Sequence, residues 1–531
     1  MVILSLFLSC STPDPSNELT SDAFLLQPSR RLARASLDIR GKLPTLEEQH
    51  QIIADPEQFE VLVDKFLQDP GFGPRVREIF GAIYTTERDR TAVNPEVLDI
   101  DPIAFQAAIG QEPLRIIQKV AEDDMPWSTV VTADWTMANE IQAALFPIDY
   151  PSNGSGWQQV KYTDGRPAAG ILSTNGMWWV YGSTSANANR KRANTVSRLL
   201  LCTDYLQKPI SFERDINLLD GDAVETAIQS DPACVGCHNT LDPLAAHFFG
   251  FWSPAQNSWL DLVSYHPDRE PLYASILGVR PSYYGLESQS LSDLGRHIAS
   301  DERFGMCTVK QMVEQLLQVE SPITDIQRLK PHREAFIQSG QQLRSLIRSI
   351  ILSPEYSVGR WETSLEDRNA HLLHVDQLAS SVEALTGFRW THQGRDVLRS
   401  GTYGLRVLAG GADGETVYEA ATAPSPTMLL SQARLAELAA AYAVEMESQL
   451  IESERQLFTL VNLDAIEDPN RQIQFQQLHL QVLAQPISLD GPEVLALNTL
   501  FEAALLIEGN AQGAWVAVLT ALLRDPNFLI Y

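Results

Sequence analysis

Cysteine is scarce in this chain, with five in 531 residues. A structural zinc site draws about four thiolate or imidazole ligands, usually as two matched pairs. Only Cys234 and Cys237 form such a pair, and the second one is missing. Basic residues are short as well: 40 stand against 67 acidic ones, a formal net charge of −27. A field of that sign repels phosphate backbones and anionic head groups, so nucleic acid is not an expected partner. No run of about twenty apolar residues occurs, so no helix is expected to span a bilayer. Also absent are a clustered Ser, His and acid, a paired-carboxylate motif and a glycine-rich phosphate loop. Hydrolase and nucleotide-enzyme readings are left without support.

What is present reads as an ordinary globular composition, 44% hydrophobic and 20% charged, at a length that implies several domains. Thr45 and Glu48 form a capping box after Pro44. Asp55-Pro56 opens a segment whose Phe59, Leu62, Val63, Phe66 and Leu67 make one apolar helical face, ending at Asp69-Pro70-Gly71-Phe72. Leu343, Leu346, Ile347, Ile350 and Ile351 make a second stripe, stopped at Ser353-Pro354-Glu355-Tyr356. Trp515, Val518, Leu519, Leu522 and Leu523 make a third, stopped at Asp525-Pro526-Asn527-Phe528. Each time a proline ends the helix and a following aromatic can fold back onto the core. This shared ending fits an internal duplication and an independent origin equally well. Strands are expected at GILSTNGMWWVYG (170–182) and GLRVLAGG (404–411). Trp178, Trp179 and Tyr181 read as core ahead of a sugar-binding platform. Arg190-Lys191-Arg192 reads as a solvated turn.

The chemistry concentrates in DPACVGCHNTLDP, residues 231–243. Haem c requires two thiols spaced to meet the two vinyl groups of one porphyrin and a histidine directly after the second to ligate iron. Cys234, Cys237 and His238 meet that specification; a structural or redox disulfide is the competing reading, although the flanking sequence lacks the βαβ pattern of a thioredoxin-like dithiol. The Nδ1 proton of His238 is expected to find a backbone carbonyl within Asn239 to Pro243. For the second axial position the candidate is Met306, in the loop DERFGMC before a helix that Thr308 and Gln311 can cap. His247, His266 and His297 are its rivals. Setting aside Cys10 and the motif leaves Cys202 and Cys307, either bridged or separately buried.

The N-terminus, MVILSLFLSCSTPDPSNE, resembles a bacterial lipoprotein signal with Cys10 as the lipidated residue; an apolar terminus with a free thiol is the alternative. Several longer stretches resemble the domain families of large planctomycete-type cytochrome c proteins. RRLARASLDIRGKLPTLEEQHQIIADPEQFEVLVDKFLQDPGFGPRVREIF (30–80) is similar to their opening helical module. VVTADWTMANE (130–140), GRPAAGILST (165–174) and RANTVSRLLLC (192–202) are similar to their middle domain. CVGCHNTLDPLAAHFFGFW (234–252) resembles the haem-attachment domain, and LSDLGRHIASDERFGMCTVKQMVEQLL (291–317) the small helical domain after it.

The resemblance implies an extracytoplasmic c-type cytochrome with one covalent haem c on Cys234, Cys237 and His238. Cysteines like Cys202 and Cys307 recur in these relatives, which implies their pairing. LAAHFFGFW departs from the usual small, glycine-containing stretch. Past residue 360 the likeness fades, although HLLHVDQLASSVEALTGF resembles a second opening helix; with no cysteine there, no second covalent haem is expected.

The expected fold is mainly α: a multidomain helical protein with a cytochrome c-like haem-attachment region and few short strands. The expected layout is a signal and tether over 1–20, a helical module over 21–90 and a middle helical domain over 91–202. A haem domain with its following helical domain takes 203–360, and a C-terminal helical domain, a candidate degenerate repeat, takes 361–531. Boundaries fall in polar stretches near residue 90 and over 358–370, after which Val375, Leu378, Val382 and Leu385, closed by Gly387, begin a new helix. The expected function is electron transfer in the cell envelope, periplasmic or at the outer membrane or surface. The membrane is reached through the lipid anchor alone, and the acidic surface would steer a basic redox partner or another envelope protein. Alternatives are an oxidase or peroxidase-like enzyme with an open distal site, and a surface binding or assembly protein with a structural CxxC.

Overall fold

The apolar stripes fold as their spacing predicts. Phe59, Leu62, Val63 and Phe66 are buried on the helix Phe59–Phe66. The helix Leu46–Ala54 starts on the predicted box, with the Glu48 N–H donating to Thr45 Oγ1 at 3.2 Å and the Thr45 N–H to Glu48 Oε2 at 2.9 Å. The stripes on Leu343–Ile351 and Ala511–Arg524 are buried too, and Phe72, Tyr356 and Phe528 fold back into the core after their prolines. The computed structural model describes residues 23–88, 100–184, 186–208, 216–217, 219–252, 264–361 and 371–531. Residues 1–22 with Cys10, and most of both boundary stretches, lie outside them.

The protein is mainly α-helical. Among the described residues the strands are short and pair only two by two. Both strand expectations are overturned: residues 170–182 form a 3-10 turn, Gly170–Ser173, and a helix, Asn175–Val180, while the other segment holds the helix Leu405–Leu408. A short apolar run cannot be told from a buried helix by periodicity alone, and tertiary contact decides here. A Cβ at Gly176 would lie 2.1 Å from the Ile109 carbonyl oxygen, so this glycine lets the short helix press onto the helix Pro102–Glu122. Trp178 is fully buried and donates its Nε1–H to the Leu172 carbonyl at 2.8 Å, which makes it core and not a sugar platform.

Two large hydrophobic cores organise the described residues, beside two small clusters around Phe105 and Phe249. The first runs from Leu32 to Tyr356, so the three predicted segments before residue 360 share one core. The second takes residues from Leu372 to Tyr531, together with Leu37.

Both units have the same frame. The first opens with the strand Ala23–Leu25 and the helix Pro28–Arg40, which ends on Gly41 at φ 73°; it closes with Leu343–Ile351, Pro354, Tyr356 and the strand Val358–Trp361, paired antiparallel with the opening strand. The second opens at Leu372 and the helix Val375–Thr386, which ends on Gly387 at φ 71°. It closes with Ala511–Arg524, Pro526, Phe528 and Ile530, and Ile530 bridges back to Leu372. The units meet on a buried polar joint. Asp38 accepts from the hydroxyls of Tyr356 and Tyr531, both at 2.7 Å, and the Arg34 guanidinium donates to main-chain oxygens of Tyr356, Val358 and Tyr531, each at 3.1 Å.

Candidate functional site

Asp231 and Pro232 start the helix Pro232–Ala245: the Asp231 carboxylate accepts the Ala233 N–H at 2.9 Å, and Pro232 occupies the first turn, where a missing N–H costs nothing. The motif lies inside this helix. Residues three and four apart share a helical face, so Cys234, Cys237 and His238 project from one side. Both thiols are free and half-buried. Burial, with Asp231 and Cys237 nearby, pushes the Cys234 thiol up, which keeps it protonated.

His238 Nδ1 lies 2.9 Å from Asp242 Oδ1. The acceptor is thus a carboxylate and not the expected backbone carbonyl. The helix continues through this segment and engages its carbonyls, whereas Asp242, one turn on, shares the histidine's face. The Asp242 carboxylate is itself gripped by Arg190, Nε to Oδ1 at 2.7 Å and Nη2 to Oδ2 at 2.9 Å. Burial opposes its ionisation, but the hydrogen bonds from Arg190 and His238 hold the Asp242 carboxyl below the usual range. A carboxylate on Nδ1 fixes the proton there and leaves the Nε2 lone pair free to ligate.

Arg190 begins the helix Arg190–Leu201, an end where the helix dipole disfavours a cation, and the buried carboxylate compensates. The basic run is therefore a helix start and not a turn, with Lys191 alone of the three exposed. Arg192 is buried and donates to the carbonyls of Trp178 (3.2 Å), Tyr181 (3.2 Å) and Phe251 (3.0 Å) and to Asn189 Oδ1 (2.9 Å). Burial pushes its guanidinium down to about 9. The far end of the same helix is pinned by a disulfide from Cys202 to Cys307, Cα to Cα 5.3 Å, in the helix Glu302–Leu317.

That helix starts earlier than expected, capped by Asp301, so Met306 sits in its second turn, half-buried against the first core, and not in a preceding loop. Thr308 and Gln311 do not cap it: they donate to the Phe304 carbonyl at 3.0 Å and the Leu199 carbonyl at 2.9 Å. His247 is buried with both ring nitrogens engaged, Nδ1 at 3.1 Å from the Leu244 carbonyl and Nε2 at 2.8 Å from the Ser288 hydroxyl; burial pushes its pKa down to about 4. His297 stacks on Tyr283 and donates from Nε2 to the Glu287 carbonyl at 2.9 Å. His266 immediately precedes the turn Pro267–Leu272.

Two functional residues escaped the sequence reading, Arg190 and Asp242. Both left a trace: Asp242 follows His238 at helical spacing, and a basic run at a helix start needs a compensating anion. Among the described residues no three His, Cys, Asp or Glu side chains converge as a metal cage. The donor set is two thiols and one oriented imidazole, which fits a covalently held porphyrin and not a caged ion. No family model, curated protein or solved structure matches the chain.

Proposed function

We propose that the protein is an exported c-type cytochrome, lipid-tethered through Cys10, that holds one covalent haem c on Cys234, Cys237 and His238 and carries electrons in the cell envelope. The observation that carries this reading is the Arg190–Asp242–His238 relay beside two free thiols on one helical face. Cys234 and Cys237 would hold the porphyrin edge as thioethers, each S–H having added across a vinyl C=C. The haem supplies a one-electron iron couple. Asp242 would keep the Nδ1 proton in place and so leave Nε2 as the ligating atom, and Arg190 keeps Asp242 charged and stationary. For the opposite face of the iron, the sequence nominates Met306. The net charge of −27 favours docking to a basic partner.

Electron transfer is preferred to an enzyme with an open distal site because His247 and His297 already spend ring nitrogens on internal partners. The test is expression with cytochrome c maturation machinery, followed by haem staining after denaturation. Covalent haem is expected in the wild type and lost in the Cys234→Ser, Cys237→Ser double variant. A wild-type protein with no Soret band and no stain overturns the proposal. Loss of the methionine-to-iron charge-transfer band in Met306→Ala is expected if Met306 ligates, and its persistence excludes Met306.

A further inference from the structure

The helix Pro492–Glu508 carries an apolar face that no described residue covers. Its inner side, Val494, Leu497, Phe501 and Ala504, is buried, with the Phe501 ring 4.9 Å from Trp515 of the helix Ala511–Arg524. Its outer side is apolar too. Leu495, Leu506 and Ile507 are 69%, 87% and 81% exposed, and Ala496, Thr499 and Ala503 lie exposed between them. With 3.6 residues per turn these six fall in one sector of about 120° that holds no charge. The Thr499 hydroxyl is spent within the helix, donating to the Leu495 carbonyl at 2.8 Å, so it asks for no partner across the face.

A helix apolar on every side has the pattern of one enclosed on every side. The helix Pro426–Ser448, which packs against the same Ala511–Arg524, shows the ordinary alternative. Its outer face presents Arg434, Glu437 and Glu445 to solvent, the first two paired at 3.1 Å.

We infer that a second copy of the chain covers this face, the two Pro492–Glu508 helices packing antiparallel about a two-fold axis at the level of Phe501. In that register the face is complementary to itself. Leu495 meets Ile507, Ala496 meets Leu506 and Thr499 meets Ala503, so bulk at each end encloses small residues at the crossing, where two backbones can come close. The same register sets Glu493 opposite Gly509 and Glu502 opposite Leu500, so no carboxylate on the rim faces another. Covering the face on both copies removes on the order of 1,000 Å² from water, the size at which a specific interface begins. A lipid surface is the poorer occupant: the helix has no Lys or Arg to meet phosphate head groups, and its carboxylates flank the face. Two chains of net charge −27 repel at a distance, so the pair gains from salt, which screens that repulsion and leaves apolar contact intact. The face belongs to the second unit, and its pairing is independent of haem attachment.

The test is sedimentation velocity of the full chain, produced without lipidation, at concentrations from about 1 to about 100 μM, where an interface of this size exchanges. The wild type is expected to pass from monomer to dimer over that range, and to pair more tightly as ionic strength rises from about 0.05 to about 0.5 M. Leu506→Gln and Ile507→Gln alter side chains that are exposed in the single chain, so the fold survives, and each weakens the pair about tenfold or more. Leu430→Gln, at a 71% exposed leucine on the outer face of Pro426–Ser448, leaves the pair unchanged. A wild type that stays monomeric throughout overturns the inference, and its flotation with phosphatidylcholine vesicles would assign the face to a lipid surface instead. A dimer that all three variants leave equally tight overturns it as well.

Discussion

The two units share a frame and differ in what the frame carries. Each opens with a short extended segment and a helix closed by a left-handed glycine, and each ends with a helix, a proline, a buried aromatic and a return to the opening segment, by a strand in the first and a single β-bridge in the second. In the first unit a disulfide, the CxxCH helix and the Arg190–Asp242–His238 relay lie between these ends. The second has no cysteine, and its core is dense in alanine: Ala436, Ala439, Ala440, Ala443 and Ala514 sit where its long helices meet. Opening and closing elements are thus a structural device that works with or without chemistry. The site depends on the helices inserted between them.

That comparison breaks first, and furthest, at the disulfide. Cys202 and Cys307 are 105 residues apart, and cross-linking a loop of that length stabilises by about 5 kcal/mol in the chain-entropy account. The Cys202→Ala, Cys307→Ala double variant is expected to lower the unfolding free energy of the first unit by about that amount. The second unit should keep its own, read as segment-resolved hydrogen exchange. Equal losses in both would show a single cooperative body and dissolve the distinction.

The joint is the next largest effect. Asp38→Ala strands two buried tyrosine hydroxyls and removes a carboxyl that favours the charge of the buried Arg34, at a cost of about 4 kcal/mol. One denaturation transition is expected to split into two. A single transition shifted as a whole would mean that apolar contact, not the polar joint, couples the units.

Acid is a gentler probe, and it loads both units, since burial also pushes His371 of the second well below the ordinary histidine value. Buried neutral His247 and His332 both lie in the first unit, with pKa values pushed down to about 4 by burial from 6.5. Above pH 6.5 neither the native nor the unfolded form is protonated there, and the groups leave stability unchanged. Between 6.5 and about 4 the unfolded chain binds a proton that the native chain refuses, so stability falls as pH falls. For His247 the loss reaches about 3 kcal/mol at the acid end. His247→Asn keeps a donor for the Leu244 carbonyl without the titration, so its stability should decline less steeply than the wild type's over this range in denaturant titrations. Parallel declines would show that His247 is not the group responsible.

Much of the frame was legible because it is local. A capping box, an apolar stripe and a glycine after the last turn are read from neighbouring residues, and Thr45, Leu346 and Gly387 all sit where that reading places them. The site was legible only in its ligands. Cys234, Cys237 and His238 announce themselves by spacing, whereas Arg190 takes its role from Asp242, distant in sequence and brought near by helix packing. The strand expected at MWWVYG failed for the same reason. Its helix is set by the close approach of Gly176 to Ile109, which no local pattern contains.

The finest probe of the shared frame is the pair of glycines that close the opening helices. Gly41 has φ 73° and Gly387 φ 71°, and a Cβ at either meets only ordinary contacts: Arg75 Cδ at 3.5 Å for the first and Tyr442 Cε1 at 3.6 Å for the second. With space available at both, the cost of alanine comes from the left-handed backbone alone, about 1 kcal/mol. The chain bears that strain elsewhere, since Cys202 and Ala484 cap their helices at φ 50° and 52°. Gly41→Ala and Gly387→Ala should therefore both fold and lose the same small amount of stability by chemical denaturation. Unequal losses would mean that the two helix ends, alike in conformation, are loaded differently by their units, and that the repeat is one of shape without equivalence in energy.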